Sequence, residues 1–117
     1  MILLKCIKKN LHLLENILVY DDGIVKGIIN RQNYGNETEL CEFYVEPFFV
    51  RCGIGQERMC ALIKEAEEEG KRRIFLWVIK DNLNARSFYE KNGFTATGEE
   101  KIIDDTPIWD VCYERRL

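Results

Sequence analysis

The order of apolar and polar residues predicts one helix and three strands in the first third of the chain. A stripe of leucines and isoleucines with lysines beside it predicts an amphipathic helix over residues 3–15. The next stretch is expected to form an antiparallel meander, because three short apolar runs follow one another closely. These runs cover 17–20, 24–31 and 38–45, and they are separated by turns at Asp21-Asp22-Gly23 and over 32–37.

A helical period returns in the middle of the chain. Met59, Leu62, Ile63 and Ala66 fall at i, i+3, i+4 and i+7, which predicts a helix over 55–69 that ends at Gly70. The run at 74–79 is nearly all apolar, as in a strand covered on both faces. The remaining predicted elements are a helix over 82–91 capped by Asp81 or Asn82, and strands over 94–103 and 107–115, the last with Trp109, Val111 and Tyr113 buried on one face.

Strand–helix–strand order predicts that 38–45 and 74–79 run parallel. The expected fold class is therefore α/β (α+β), a mixed and mostly antiparallel sheet with a central parallel strand pair and flanking helices. Within 38–45, alternation predicts two opposed sets of side chains. Glu39, Cys41, Phe43 and Val45 form one set, and Leu40, Glu42 and Tyr44 form the other.

Gly53-Ile54-Gly55 lies between the strand at 38–45 and the helix that follows it. Glycines let backbone N–H groups converge, and a helix N-terminus adds partial positive charge, so the segment could bind a phosphate. It is not a Walker loop, because Gln56-Glu57 stands where Gly-Lys-Ser/Thr is needed, and it lacks the third glycine of a dinucleotide fingerprint. A tight turn into a helix remains the alternative interpretation.

A second motif follows the strand at 74–79. Asn82-x-x-Ala85-x-x-x-Tyr89-x-Lys91-x-Gly93-Phe94, placed after the glycine turn, resembles the GCN5-related N-acetyltransferase family from about Asn16 to Leu117. The resemblance implies an enzyme that binds acetyl-CoA as cosubstrate and transfers its acetyl group directly to an amine. It also implies that the strand before the glycine turn and the strand after the helix splay apart.

The resemblance assigns cofactor-binding roles to three segments. Phe43, Tyr44 and Val45 would offer their strand edge to the pantetheine arm, and a further set comes from the second motif: Asn82, Phe88 and Tyr89. The pyrophosphate would bind the amides of the loop, namely Arg51, Cys52, Gly53, Ile54, Gly55 and Gln56, with a charge contact from Arg51. The alternative for Arg51 is an exposed loop cation.

The resemblance also assigns the catalytic roles. Tyr89 would donate a proton to the leaving thiolate, and Glu39 would act as the base, with Glu42 as a second candidate. The alternatives are a packing tyrosine and two ordinary surface carboxylates. Cys52 at the helix start could have a lowered pKa, but the resemblance implies direct transfer rather than an acetyl-cysteine.

Two features depart from the family pattern. Val50 stands where the family loop usually begins with Arg or Gln, so one side-chain contact is missing. Before the hairpin at 17–31 the chain has room for one helix, where the family usually has a strand and two helices. The uncovered sheet edge near 17–20 suggests a homodimer.

Composition bounds the remaining possibilities. The chain has 117 residues, 46% hydrophobic and 32% charged, which predicts a single domain over 1–117. The net charge of −3 argues against nucleic-acid binding, and no apolar run is long enough to cross a membrane. Five cysteines without Cys-x-x-Cys spacing favour reduced thiols in the cytoplasm over disulfides or a metal site, and His12 is expected to be an ordinary helix residue.

Three functions stay open at this point. The first is an acetyl-CoA-dependent N-acetyltransferase acting on a small molecule or a protein amino group. The second is a regulatory module that binds acetyl-CoA or CoA without turnover, which Val50 favours whereas Tyr89 favours the enzyme. The third is an interaction domain that keeps only the fold, against which the intact glycine turn argues.

Overall fold

The computed structural model describes residues 17–21, 25–45 and 53–117. The predicted helix over 3–15, the turn at Asp21-Asp22-Gly23 beyond its first residue, and the loop residues Val50, Arg51 and Cys52 lie outside this part of the chain. The described elements are β1 (Ile17–Asp21), β2 (Val25–Tyr34), β3 (Glu37–Val45), α1 (Ile54–Glu68), β4 (Arg73–Ile79), α2 (Leu83–Lys91), β5 (Thr95–Ile102) and β6 (Trp109–Arg116).

Six strands form one mixed sheet in the order β1-β2-β3-β4-β6-β5. β3 and β4 are parallel, and each other neighbouring pair is antiparallel, as the sequence predicted. The predicted turn over 32–37 is shorter than expected, because residues 32–34 extend β2 and pair with 37–39. Gly35 has a φ of 61° and makes the turn itself.

The main core lies between the sheet and the two helices. The predicted face of α1 is confirmed, since Met59, Leu62, Ile63 and Ala66 are all buried. α2 packs Ala85, Phe88 and Tyr89 against the same cluster. Further core residues come from the strands: Ile29, Leu40, Ile74, Leu76, Val78, Val111 and Tyr113.

β4 is covered on both faces, although not equally, since Ile74, Leu76 and Val78 are buried and the residues between them are half-buried. One prediction about burial was wrong. Trp109 is 46% exposed, although Val111 and Tyr113 on the same strand are buried. The reason is that Asp110 already pairs with the last residue of β4, so Trp109 lies beyond the end of that strand.

A partly buried ion-pair cluster joins β2 to the last turns of α1. Arg31 is 4% exposed and pairs with Glu65 at 3.0 Å and with Glu69. These glutamates belong to the acidic run at the end of the helix. The cation compensates their unfavourable position near the negative end of the helix dipole. None of the helices in the described part of the chain is long and apolar enough to cross a membrane.

Candidate functional site

The two parallel strands separate at the centre of the sheet. The last β3–β4 pair joins Leu40 to Leu76, and among the described residues no further pair follows. β3 continues to Val45 paired with β2, while β4 continues to Ile79 paired with β6. The facing edges beyond Leu40 can therefore hydrogen-bond an extended ligand in place of a neighbouring strand.

A β-bulge in β3 marks the point of separation. Arg31 of β2 pairs with Leu40 and Asn30 pairs with Glu42, so Cys41 is the extra residue of the bulge. The predicted alternation along 38–45 is therefore wrong beyond Cys41. Phe43 packs against the same core cluster as Leu40, although the two were expected on opposite faces. One inserted residue reverses the faces of all those that follow.

α1 begins at the glycine turn, close to the separated strands. Gly53 is the N-cap, with φ 76° and ψ 7°, and no side chain caps this helix end. The first N–H groups of a helix lack intrahelical acceptors, so they remain able to bind an anion. The side chain of Gln56 is engaged elsewhere, since Nε2 donates to Oδ1 of Asn92 at 2.6 Å. Gln56 would accordingly meet a ligand through its backbone.

α2 supplies the aromatic side of the site. Its N-cap is Asn82, whose Oδ1 accepts from the N–H of Ala85 at 3.2 Å, which resolves the choice between Asp81 and Asn82. The ring centroid of Phe43 lies 5.5 Å from that of Phe88 and 6.5 Å from that of Tyr89. These edge and tilted contacts hold α2 against the end of β3.

A cleft of about 630 Å³ opens between β3, the start of α1 and α2. Eight of its lining residues were predicted to bind the cofactor: Phe43, Tyr44, Gly53, Gly55, Gln56, Asn82, Phe88 and Tyr89. Val45 and Ile54 are described by their backbone alone. Three lining residues were missed: Asn84, Ala85 and Lys91. Ala85 and Lys91 belong to the second motif, and Asn84 lies one helical turn before Phe88. The sequence therefore contained the information needed to include all three.

Residues 7–94 match the model of the acetyltransferase (GNAT) family. The chain belongs to this family. The separated strands, the glycine turn and the second motif all lie within the matched segment or next to it.

Known proteins with similar sequences and structures agree with the family. The chain is 27% identical over 97 residues to a spermidine N(1)-acetyltransferase of Thermoplasma acidophilum, covering 83% of this chain and 56% of that protein. It superposes on Ard1 of Thermoplasma volcanium with a TM-score of 0.81 and 27% identity, covering 98% of this chain and 77% of the other. It superposes on the PaiA N-acetyltransferase of Thermoplasma acidophilum in complex with coenzyme A with a TM-score of 0.70 and 26% identity, covering 98% and 69%.

The chain is shorter than the curated GNAT proteins that it matches. It spans about half of their length or less, 56% of one and 27% of another.

The two predicted catalytic carboxylates lie in different places in this GNAT domain. Glu39 is in the paired part of β3 and faces the hydroxyl of Tyr34, whose pKa is raised by partial burial and by that carboxylate. Glu42 is 8% exposed, and its charge acts on Tyr89. The structure therefore brings Glu42, and not Glu39, together with Tyr89. Neither is among the residues that line the cleft within the described part of the chain.

Among the titratable groups that line the cleft, Tyr89 has the most strongly shifted pKa. Its ring meets Phe88 at 5.7 Å and Phe94 at 5.8 Å between centroids. Burial among these rings, together with the negative charge of Glu42, raises the pKa of Tyr89 to about 12. Its hydroxyl therefore keeps its proton throughout the physiological range. No cluster of His, Cys, Asp and Glu side chains suited to a metal ion occurs among residues 17–21, 25–45 and 53–117.

Proposed function

We propose that this protein is an N-acetyltransferase that transfers the acetyl group of acetyl-CoA directly to an amine. The observation that carries the proposal is the cleft where β3 and β4 separate. An extended strand edge, a glycine-initiated helix N-terminus and Tyr89 meet there. The crystal structure of the PaiA relative in complex with coenzyme A supports acetyl-CoA as the cosubstrate.

The residues of the cleft fit the parts of acetyl-CoA. The edge of β3 beyond Leu40 offers peptide groups to the amides of a pantetheine arm. The turn at Gly53 and the first amides of α1 suit a pyrophosphate, and Lys91 adds a cation to the lining. Bound acetyl-CoA supplies the thioester, with the thiol as leaving group. The cleft residues hold and orient it.

Tyr89 acts as a hydrogen-bond donor to negative charge at the leaving sulfur. With a pKa of about 12, Oη keeps its proton, and transferring it fully to a thiolate with a reference pKa of about 8.5 is uphill by about 5 kcal/mol. A donated hydrogen bond has no such cost. It is worth more in a water-poor aromatic environment than in water.

Glu42 is our choice for the base that accepts the proton of the acceptor amine. It lies two residues beyond the last β3–β4 pair, and its charge reaches the hydroxyl of Tyr89. Glu39 has the weaker support, because it is in the paired region and faces Tyr34. A base and a hydrogen-bond donor on either side of the opening match the needs of amine acetylation.

A thiol-release assay with acetyl-CoA tests the activity. The acceptors are spermidine, amino acids, an aminoglycoside and short peptides with free N-termini. Acetylated product with at least one acceptor, confirmed by mass, is expected. Glu42→Gln should lower kcat by about 10²-fold or more, whereas the matched variant Glu39→Gln should stay within a few-fold of the parent. Acetyl-CoA binding without product from any acceptor would instead favour a regulatory module.

We further propose that the chain works as one domain in the cytoplasm, with reduced thiols. Cys60 and Cys112 are free thiols in the structure. β1 is an edge strand of the described sheet, which supports the proposal of a homodimer through that edge. Sedimentation at about 10–100 µM tests it, and a pure monomer there would contradict it.

A further inference from the structure

Asn30 on β2 is a buried side chain without polar contacts. It is 1% exposed, and within the described part of the chain neither Oδ1 nor Nδ2 has a hydrogen-bond partner. Both atoms are affected, so exchanging the amide oxygen and nitrogen would not remove the problem. Burying an amide in this way is costly, and native proteins rarely do it without a reason.

The position of Asn30 connects it to the site. It is the cross-strand partner of Glu42, directly beside the bulge at Cys41. Side chains of directly opposed residues in antiparallel strands have Cβ atoms about 4.5–5.5 Å apart. The separation of β3 from β4 begins at the same place. An amide with one donor group and one acceptor therefore lies next to the carboxylate that we assign as the base.

The neighbours of Asn30 on β2 indicate which face it occupies. Arg31 reaches Glu65 of α1, and Ile29 belongs to the core cluster under the helices. Alternation along β2 places Asn30 on the opposite face of the sheet, and its partner Glu42 shares that face. The cleft residues of α2 lie on the helix side. The pair Asn30–Glu42 is therefore a polar site on the face of the sheet opposite the cleft residues of α2. The opening between β3 and β4 lies between this pair and the cleft lining.

The hydrogen-bonding groups of this pair select the kind of ligand. An ammonium group offers only N–H donors, which suit the carboxylate of Glu42 and Oδ1 of Asn30. Nδ2 of Asn30 needs an acceptor. A polyamine carries none, because its nitrogens are protonated at neutral pH, whereas an amine next to a carbonyl group supplies both. A site with an amide left unpaired by one ligand and satisfied by another discriminates strongly between them.

We propose that Asn30 and Glu42 bind the acceptor, and that this acceptor is an amine flanked by a carbonyl, such as the N-terminal amine of a peptide, rather than a polyamine. The inference rests on the proposed acetyltransferase function and names its substrate class. The amine is held by Glu42 and Oδ1 of Asn30, and the carbonyl oxygen next to it accepts from Nδ2.

The test compares alanylalanine amide with spermidine as acceptors for the purified protein. We expect kcat/KM for the dipeptide amide to exceed that for spermidine by at least about 10-fold. Asn30→Asp keeps the shape and the acceptor atoms but removes the donor. It should lower kcat/KM for the dipeptide amide by about 10-fold to 100-fold and leave spermidine unchanged or improved. Gln32→Leu, on the same strand, is the control and should change neither value by more than a few-fold.

Equal or better turnover of spermidine by the parent would overturn the inference, and so would an equal loss for both acceptors in Asn30→Asp. Asn30→Leu gives a readout that needs no turnover. Because it removes a buried amide without contacts, it should raise the Tm while abolishing the preference for the dipeptide amide. A lower Tm would overturn the inference, because Asn30 would then be a residue that stabilises the fold.

A binding experiment separates this inference from the proposed activity. If no acceptor is acetylated, alanylalanine amide is titrated calorimetrically into the protein with CoA present. Binding that is lost in Asn30→Asp and kept in Gln32→Leu would support the site while the acetyltransferase proposal fails. The absence of binding to the parent protein would overturn the inference as well.

Discussion

The hydroxyl of Tyr113 donates a 2.7 Å hydrogen bond to Oε2 of Glu90. The hydroxyl oxygen of Tyr113 also accepts a hydrogen bond from Nε of Arg86 at 2.9 Å, so one fully buried residue of β6 anchors two successive turns of α2. Tyr89 lies between Arg86 and Glu90 along the helix. The position of Tyr89 in the cleft therefore depends on the contacts that Tyr113 of β6 makes with Arg86 and Glu90.

We expect Tyr113→Phe to destabilise the fold by about 1–3 kcal/mol, because a buried hydroxyl loses two charge-assisted hydrogen bonds. Urea unfolding followed by circular dichroism measures the effect. Tyr34→Phe is the matched control, since Tyr34 is 49% exposed, and it should change stability by less than about 0.5 kcal/mol. Similar values for the two variants would show that the Tyr113 contacts contribute little.

A second prediction concerns Gly93, which follows α2 with a φ of 88°. A Cβ at this position would overlap the guanidinium of Arg115, which donates to the backbone oxygen of Asn92 at 2.7 Å. Gly35 also has a positive φ, but open space surrounds it. Both Gly→Ala changes should therefore share the backbone cost of about 1–2 kcal/mol.

Gly93→Ala should cost about 1 kcal/mol more than Gly35→Ala, since Arg115 must move and give up its hydrogen bond. Urea denaturation of the two variants side by side measures the difference. Equal destabilisation would mean that Arg115 adjusts without loss.

Local patterns explain which parts of the fold the sequence could predict. The face of α1 follows from the spacing of Met59, Leu62, Ile63 and Ala66, and the end of the helix from Gly70, which has a φ of 79°. Each of these signals lies within a few residues of the feature that it specifies. The glycine turn and the second motif likewise predicted most of the residues that line the cleft, because each motif lies within one short segment of the chain.

Contacts between distant segments explain what the sequence could not predict. The bulge at Cys41 arises from the pairing of β3 with β2, and no local feature of the sequence over 38–45 predicts it. That bulge decides which face Glu42 occupies and so which carboxylate approaches Tyr89. Arg31 is another case, because its ion pairs join β2 to the far end of α1. Asn30 is a third case, because nothing in the sequence of β2 distinguishes this buried residue from the other polar residues of the strand.

A third prediction tests the anion site at the start of α1. Acetyl-CoA at about 100 times its Kd should stabilise the protein by about 2.7 kcal/mol, seen as a raised Tm. Gly55 lines the cleft in the first turn of the helix. Gly55→Asp should abolish the shift, because it places a negative charge where the pyrophosphate would bind.

Gly55→Ala is the control for the added Cβ. Alanine is the better helix former, so this variant should fold at least as well as the parent and keep a measurable part of the shift. An intact shift in Gly55→Asp would move the phosphate site away from this turn.

A fourth prediction separates chemistry from binding at Tyr89. Tyr89→Phe keeps the ring contacts with Phe43, Phe88 and Phe94 and removes the hydroxyl. Under our proposal kcat should fall by about 10²–10³, the effect of losing one donor to developing negative charge, while the Kd for acetyl-CoA stays within a few-fold. Steady-state kinetics and calorimetry together measure this. Retention of most of the turnover would reduce Tyr89 to a packing residue.

A fifth prediction concerns the pKa of Tyr89, which burial and the charge of Glu42 raise to about 12. Glu42→Gln removes the charge and keeps the burial, so the pKa should fall but remain above 10. Absorbance titration at about 295 nm detects the phenolate, and subtracting the titration of the matched Tyr89→Phe variant isolates Tyr89 from the other tyrosines. An unchanged pKa in Glu42→Gln would show that the carboxylate does not act on the hydroxyl.

The raised pKa of Tyr89 also makes the free energy of unfolding depend on pH. The folded state raises the pKa above the unfolded value of about 10, so the contribution is fully present below pH 10 and is lost as the pH rises toward 12. The free energy of unfolding should therefore fall between pH 10 and 12 by up to about 3 kcal/mol more in the parent than in Tyr89→Phe. Urea unfolding at a series of pH values measures both slopes. Parallel slopes would mean that Tyr89 titrates as it does in the unfolded chain, and the hydroxyl would then be a better acid than our proposal requires.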